Sequence, residues 1–214
     1  MKKYLAAELA AAFLFVMAAI WCLPTSWAYG VGIPLVTSLL VLGWWVRPTD
    51  QDKPYIEHLG IQPEDFSQTG RMLLAVTVSL AAMIGLAYLL CPHFADRPGF
   101  WVKVFNQFKG YLLWAFAQQL LLQGYFSNRL EALCGKRWLA ALASGSLFAL
   151  AHLPNPVLVP ATAIFGAAGT WFFLRSRNLY LMTVFHALLG TATKYLLANP
   201  LLPHGMRVGP GFWN

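Results

Sequence analysis

Three groups of polar residues interrupt the long apolar runs of this chain, and they are of the types that move protons or hold a reacting carbonyl. The first is Gln118-Gln119 followed by Gln123, within Ala117-Gln118-Gln119-Leu120-Leu121-Leu122-Gln123-Gly124-Tyr125-Phe126. The second is His152, within Phe148-Ala149-Leu150-Ala151-His152-Leu153-Pro154-Asn155-Pro156, and the third is His186, within Phe185-His186-Ala187-Leu188-Leu189-Gly190. On a helix, Gln119 and Gln123 share a face, whereas Gln118 sits about 100° round from Gln119. A histidine exchanges a proton near neutral pH, and an amide N–H can donate to a developing oxyanion. An amide is scarcely basic, so the glutamines cannot serve as the general base that a carboxylate would supply. Each group alone has a plain structural reading. The amides bond helix to helix, worth roughly 0.6–2 kcal/mol each, and each imidazole is neutral and bonded to a carbonyl or hydroxyl. Three such groups on three helices point to a shared polar pocket, because polar groups inside a membrane face one another or a cavity.

The elements that must position these residues are membrane helices. Of 214 residues, 58% are hydrophobic and 11% charged, against about 25% charged in a soluble domain. The mean hydropathy is +0.57, and apolar runs repeatedly reach the length of a bilayer span. This excludes a water-facing domain, a disordered chain and a collagen-like repeat. Cys22, Cys91 and Cys134 form no Cys-x-x-Cys pair, so neither a disulfide framework nor a zinc ribbon is indicated. The net charge of +7 comes from Lys and Arg scattered through short loops. That pattern reads as topology and contact with anionic lipid headgroups, not nucleic acid.

The pattern predicts an all-α, polytopic membrane bundle of about seven transmembrane helices, a single transmembrane domain over 1–214. The runs are about Tyr4–Leu23, Gly30–Val46, Arg71–Leu90, Gly110–Phe126, Trp138–Leu153, Val157–Leu174 and Leu179–Ala198. The first resembles a signal peptide with a cut after Ala28, but its length and the span that follows at once favour an uncleaved helix. A polar loop over Arg47–Gly70 holds Asp50, Asp52, Glu57, Glu64 and Asp65 and has room for a short amphipathic segment. Pro92 and Pro98 break the third interhelical loop, and Pro154 and Pro156 stop the fifth helix. With the N-terminus inside, the inner segments carry Lys2, Lys3, Arg47, Lys53, Arg71, Arg129, Lys136, Arg137, Arg175 and Arg177. The outer ones carry Arg97, Lys103, Lys109, Lys194 and Arg207, so the bias places the N-terminus in the cytoplasm. No internal repeat of the transporter kind is visible.

The order of motifs resembles the CAAX protease and bacteriocin-processing (CPBP, Rce1-like or Abi) family of intramembrane proteases. The resemblance covers about Tyr55–Thr191, with the lead-in Leu59-Gly60-Ile61, the Gln-Gly-Tyr-Phe stretch and the approach Arg177-Asn178-Leu179. Members carry Glu-Glu-x-x-x-Arg, then Phe-x-x-x-His, then His-x-x-x-Asn. The resemblance implies a glutamate that activates water against a peptide carbonyl, with the histidines completing the site. Phe148 and His152 fit the second motif, and His186 opens the third. Gln118 and Gln119 stand where the glutamates belong, Gln123 where the arginine belongs and Gly190 where the asparagine belongs. The substrate class implied is a prenylated CAAX-type protein or membrane peptide, in a bacterial inner membrane, and no cofactor is implied.

Exchange of both carboxylates removes the water-activating group, and Gln123 no longer has buried negative charge to balance. The set has become neutral together, at lower desolvation cost. An engineered Glu-to-Gln exchange would account for two positions but not for Gln123 or Gly190, so a variant subfamily is the reading. The expected site is therefore Gln118, Gln119, His152 and His186 at the motif positions, with Gln123, Phe148 and Asn155 lining the pocket. Asn155 is expected to cap or orient the His152 ring. A histidine-based reaction would need a nucleophile. Cys134, Ser144 and Ser146 are nearest in sequence, yet they read as small residues that ease helix packing. No metal site is expected, because two histidines lack a third ligand and His58, His93 and His204 fall in loops. The expectation is a protease homologue whose cleavage is lost or altered. The alternatives are a membrane protein that binds a peptide or partner through the same pocket, and a small transporter or lipid-binding protein.

Overall fold

In the computed structural model, residues 2–23, 28–45, 55–61 and 68–213 are described. The acidic loop positions Asp50, Asp52, Glu64 and Asp65, the inner charges Arg47 and Lys53, and the side chains of Trp44 and Trp45 lie outside the described residues. The elements run α1 (Lys2–Cys22), α2 (Ala28–Trp45), α3 (Tyr55–His58), α4 (Thr69–Leu90) and α5 (Phe100–Gln119). A π-helical stretch, Leu120–Ser127, joins α5 to α6 (Asn128–Cys134). After α7 (Arg137–Leu150) and α8 (Leu158–Ser176), α9 (Leu179–Ala192) runs through a second π turn, Thr193–Ala198, into α10 (Asn199–Leu201). Seven long helical stretches thus follow the seven predicted runs, and the chain is an all-α polytopic membrane bundle. Among the described residues, four helices are long and apolar enough to cross a membrane: Lys2–Cys22, Thr69–Leu90, Leu158–Ser176 and Leu179–Leu201. The short helix α3 stands inside the polar loop where an amphipathic segment is predicted.

The fourth predicted run, Gly110–Phe126, is an underestimate. Lys103, Gln107 and Lys109 interrupt its apolarity without interrupting the helix, which starts at Phe100. Gln107 and Lys109 find partners on or beside the helix. Lys194 Nζ donates to Gln107 Oε1 at 2.7 Å, and Lys109 Nζ lies 4.7 Å from the Phe105 ring centre.

Large apolar side chains point outward, where lipid covers them: Leu14, Phe15, Leu74, Val78, Leu89, Leu113 and Ile164 are exposed. The interior combines apolar side chains such as Met72, Tyr125 and Phe173 with small and polar residues, which let helix backbones approach closely in lipid. The tightest contact is α7 on α8. A Cβ added to Gly145 would lie 2.6 Å from the Ala163 carbonyl oxygen, and one added to Gly166 would lie 3.1 Å from Gly145 Cα. This pairing fixes the C-terminal end of α7, and with it His152, against α8.

The two ends of the resemblance meet. The Leu179 N–H donates to the Gly60 carbonyl at 2.9 Å, and Leu59 packs on Gly124. Gly60 has φ +74°, and a Cβ there would meet Arg177 O at 2.8 Å, so only glycine allows the lead-in to dock on the α8–α9 turn. Asn178 caps α9 by accepting from the Leu181 N–H at 3.0 Å.

A neutral polar pocket between five helical segments

Four consecutive hydrogen bonds link the glutamines to His186. Gln123 Nε2 donates to Gln119 Oε1 at 3.1 Å, and Gln119 Nε2 lies 2.8 Å from His186 Nδ1. With the amide nitrogen donating, Nδ1 accepts and the imidazole proton sits on Nε2. That nitrogen is 3.2 Å from the Tyr111 hydroxyl, which donates to Gln118 Oε1 at 3.0 Å. At the other end, Gln123 Oε1 accepts from Ser127 and Thr170, 2.9 and 3.0 Å away. Ser144 Oγ stands 3.0 Å from Ser127 and 2.9 Å from Thr170. Gln123 is 0% and Gln119 6% exposed. The chain of bonds contains neither a carboxylate nor a basic side chain other than the imidazole.

The π stretch is what aims this array. The Ser127 hydroxyl reaches the Leu122 carbonyl five residues back at 2.8 Å, the spacing of a π turn, and such insertions concentrate where a side chain must be re-aimed. The predicted face shared by Gln119 and Gln123 is present, and Gln118 points away from it toward Tyr111.

His152 does not sit on α7. The helix ends at Leu150, and His152 lies in the tight turn that follows, its N–H bonded to Ala149 O at 2.9 Å. Pro154 disfavours helical geometry at the residue before it, which ends the helix early. His152 Nδ1 gives its proton to Phe148 O at 2.7 Å, which leaves Nε2 as an acceptor. Phe148 stands edge-on between the two imidazoles, 4.7 Å from the His152 ring centre and 5.7 Å from that of His186.

These groups border a cavity of about 120 Å³. Tyr111, Gln119, His152 and His186, with the hydroxyl residues Ser79, Thr162 and Thr193, supply its polar wall, and Met72, Val76, Phe165 and Phe185 are among the apolar residues of the remainder. Among the described residues, no Asp, Glu, Lys or Arg lines it. Gln118, Gln123 and Asn155 lie outside the wall.

Asn155 departs from the expected role. Its Nδ2 donates to the carbonyls of Gly205 and Arg207 at 2.8 and 3.0 Å. Its Oδ1 accepts from the Val157 and Leu158 N–H groups at 3.1 and 3.0 Å. Both ends of the amide are spent on backbone, so it caps α8 and clamps the C-terminal tail, and the Phe148 carbonyl orients the His152 ring in its stead. The tail brings Met206 to the cavity wall. Asn155→Ala is expected to cost about 0.5–2 kcal/mol as a lost cap and to free the tail. Limited proteolysis should then cut residues 203–209 faster than in the wild type, and an unchanged rate would show that the clamp holds nothing.

Residues 100–192 match the family model for type II CAAX prenyl endopeptidase, Rce1-like. Over this stretch, a little under half of its length, the chain is similar to the Rce1-like family. No curated protein and no solved structure matches the chain. The Rce1-like segment ends within one residue of the predicted limit Thr191 but begins at Phe100, so the lead-in around Leu59 falls outside it. It holds every residue of the hydrogen-bonded array, while Met72 and Val76 of α4 and Met206 of the tail come from beyond it. The protein is an integral membrane homologue of intramembrane proteases.

Among the described residues, none of the three candidate nucleophiles is poised on His152. Ser144 is buried in the hydroxyl cluster, Ser146 is turned back onto Leu142 O at 3.0 Å, and Cys134 lies at the end of α6. Among the described residues no three His, Cys, Asp or Glu side chains converge. Sequence reasoning missed Tyr111, Ser127 and Thr170. Tyr111 falls two helical turns before Gln118, and Ser127 extends the Gln119–Gln123 stripe by one more turn, which are the signals that were there to find.

Proposed function

We propose that this Rce1-like protein has lost the glutamate–water reaction and uses the same pocket to hold an uncharged segment of a membrane peptide or partner protein. The observation that carries the reading is Gln119. Its oxygen accepts from Gln123 and its nitrogen donates toward His186, so the group at the second glutamate position is committed at both ends and has no basic atom to take a proton from water. A cavity without a charged wall favours neutral ligands, because an ion brought there would stay uncompensated. The pocket still offers hydrogen bonds to a peptide group: His152 Nε2 as acceptor and the second Gln119 N–H as donor.

We place the protein in a bacterial inner membrane with its N-terminus in the cytoplasm. Support comes from the charges at one end of the bundle. Glu131 accepts from Arg137 and Arg177 at 2.9 and 2.6 Å, Arg177 also donates to Asn128, and Arg129 reaches Glu8 near the start of α1. A transporter reading has no comparable support.

Mass-spectrometric mapping of protein termini in membranes from wild-type, deletion and His152→Ala strains tests the proposal. The expected result is the same set of termini in all three. New ends found only in the wild type would overturn the loss of cleavage and would name substrates of a histidine-based reaction.

A further inference from the structure

Position 190 on α9 has no side chain, and the space it leaves is filled from α5. A Cβ at Gly190 would stand 2.8 Å from Tyr111 Cε1 and 3.5 Å from its Cζ and hydroxyl oxygen. Glycine within a helix costs roughly 0.5–1 kcal/mol relative to alanine, so its presence here goes with the ring pressed against it. That ring brings a hydroxyl between two motif residues, 3.2 Å from His186 Nε2 and 3.0 Å from Gln118 Oε1, and it stacks edge-on against His186 at 5.7 Å.

The hydrogen-bond inventory of His186 gives this contact its meaning. One ring nitrogen faces the Gln119 amide. The other carries the proton and needs an acceptor in a wall that is otherwise largely apolar, where an unmet N–H costs about 1–3 kcal/mol. Tyr111 is that acceptor, and its own O–H donates to Gln118 Oε1. Both nitrogens of His186 are therefore engaged inside the protein, and His152 Nε2 is the imidazole nitrogen that remains for a ligand.

We infer that Tyr111 is a positioning residue of the pocket. It holds His186 as the Nε2-protonated tautomer, ties the first motif to the third, and depends on Gly190 for room. Tyr111 thus decides which histidine meets a ligand. This consequence rests on the pocket proposed above, but the hydrogen bond itself is a property of the resting protein and stands or falls without any ligand or cleavage.

The test is nitrogen-15 NMR of the full chain in nanodiscs, labelled at histidine, with His186 assigned from the signal missing in His186→Ala. In the wild type, Nε2 of His186 is expected to be protonated and Nδ1 not. Tyr111→Phe keeps the ring and removes the hydroxyl, and it is expected to shift His186 Nε2 while leaving His152 in place. Gly190→Ala, which pushes the ring aside, is expected to give a shift at the same nitrogen and provides the reading if the phenylalanine variant folds poorly. A His186 Nε2 signal unmoved by loss of the hydroxyl, or a wild-type ring protonated on Nδ1, would overturn the inference. A purely packing role for Tyr111 predicts the unmoved signal.

Discussion

Replacing Gln123 with arginine is expected to cost about 3–5 kcal/mol of stability, the penalty of a buried charge without a partner. Gln123 has no exposed surface, and its bonded neighbours are Gln119, Ser127 and Thr170, none of them charged. The larger side chain also meets α8 at Gly169, where an added Cβ would already lie 3.7 Å from Gln123 Nε2. Restoring glutamate at 118 and 119 in the same molecule is expected to return much of the loss, because position 119 sits 3.1 Å from position 123 through the existing bond. Thermal unfolding of the purified variants in detergent measures both quantities. A single arginine variant that melts with the wild type would sink the idea that the three positions became neutral as a set. A triple variant no better than the single would do the same.

Arg129→Ala is expected to cost a similar amount, about 3–5 kcal/mol. Arg129 is 2% exposed, and its Nε donates to Glu8 Oε1 at 2.6 Å. Its guanidinium carbon lies 3.9 Å from the centre of the Tyr125 ring, and the Tyr125 hydroxyl donates to the same Glu8 oxygen at 2.7 Å. Removing the cation strands Glu8 within the Leu5–Cys22 stretch of α1, whose other residues are all apolar, with the phenol left to hold it. The double variant Arg129→Ala/Glu8→Gln is expected to be more stable than Arg129→Ala alone, since it removes the stranded charge as well. Equal melting of the single and double variants would show that the pair is not the cause. The pair fastens α1 to α6 two residues beyond the π stretch that aims the glutamines, so its loss is also expected to loosen the pocket.

Much of this molecule was legible in residue types and their order. Apolar runs of bilayer length gave the helices, because no other open structure satisfies its backbone in lipid. The family resemblance placed Gln118, Gln119, His152 and His186 together, and the stripe of Gln119 and Gln123 followed from helical spacing. Gln118 was expected on a different face, and it is. Glu8 and Arg129 were each in plain view, but neither pattern nor spacing pairs residues so far apart in the chain.

What escaped was decided by contacts between segments. The exception is the end of α7 at Leu150, three residues before the predicted limit, which depends on the local cue of Pro154. The diversion of Asn155 to the tail depends on where residues 205–207 return, which no spacing around His152 encodes. Tyr111 entered the site only because α5 and α9 approach closely at Gly190. The sequence by itself determined a membrane bundle with neutral amides in place of a charged dyad, since amides cannot take up a proton wherever they lie. Only the tertiary structure decided which partners satisfy each polar group, because hydrogen bonds in an apolar interior are fixed by distances of about 3 Å that separate helices meet only after packing.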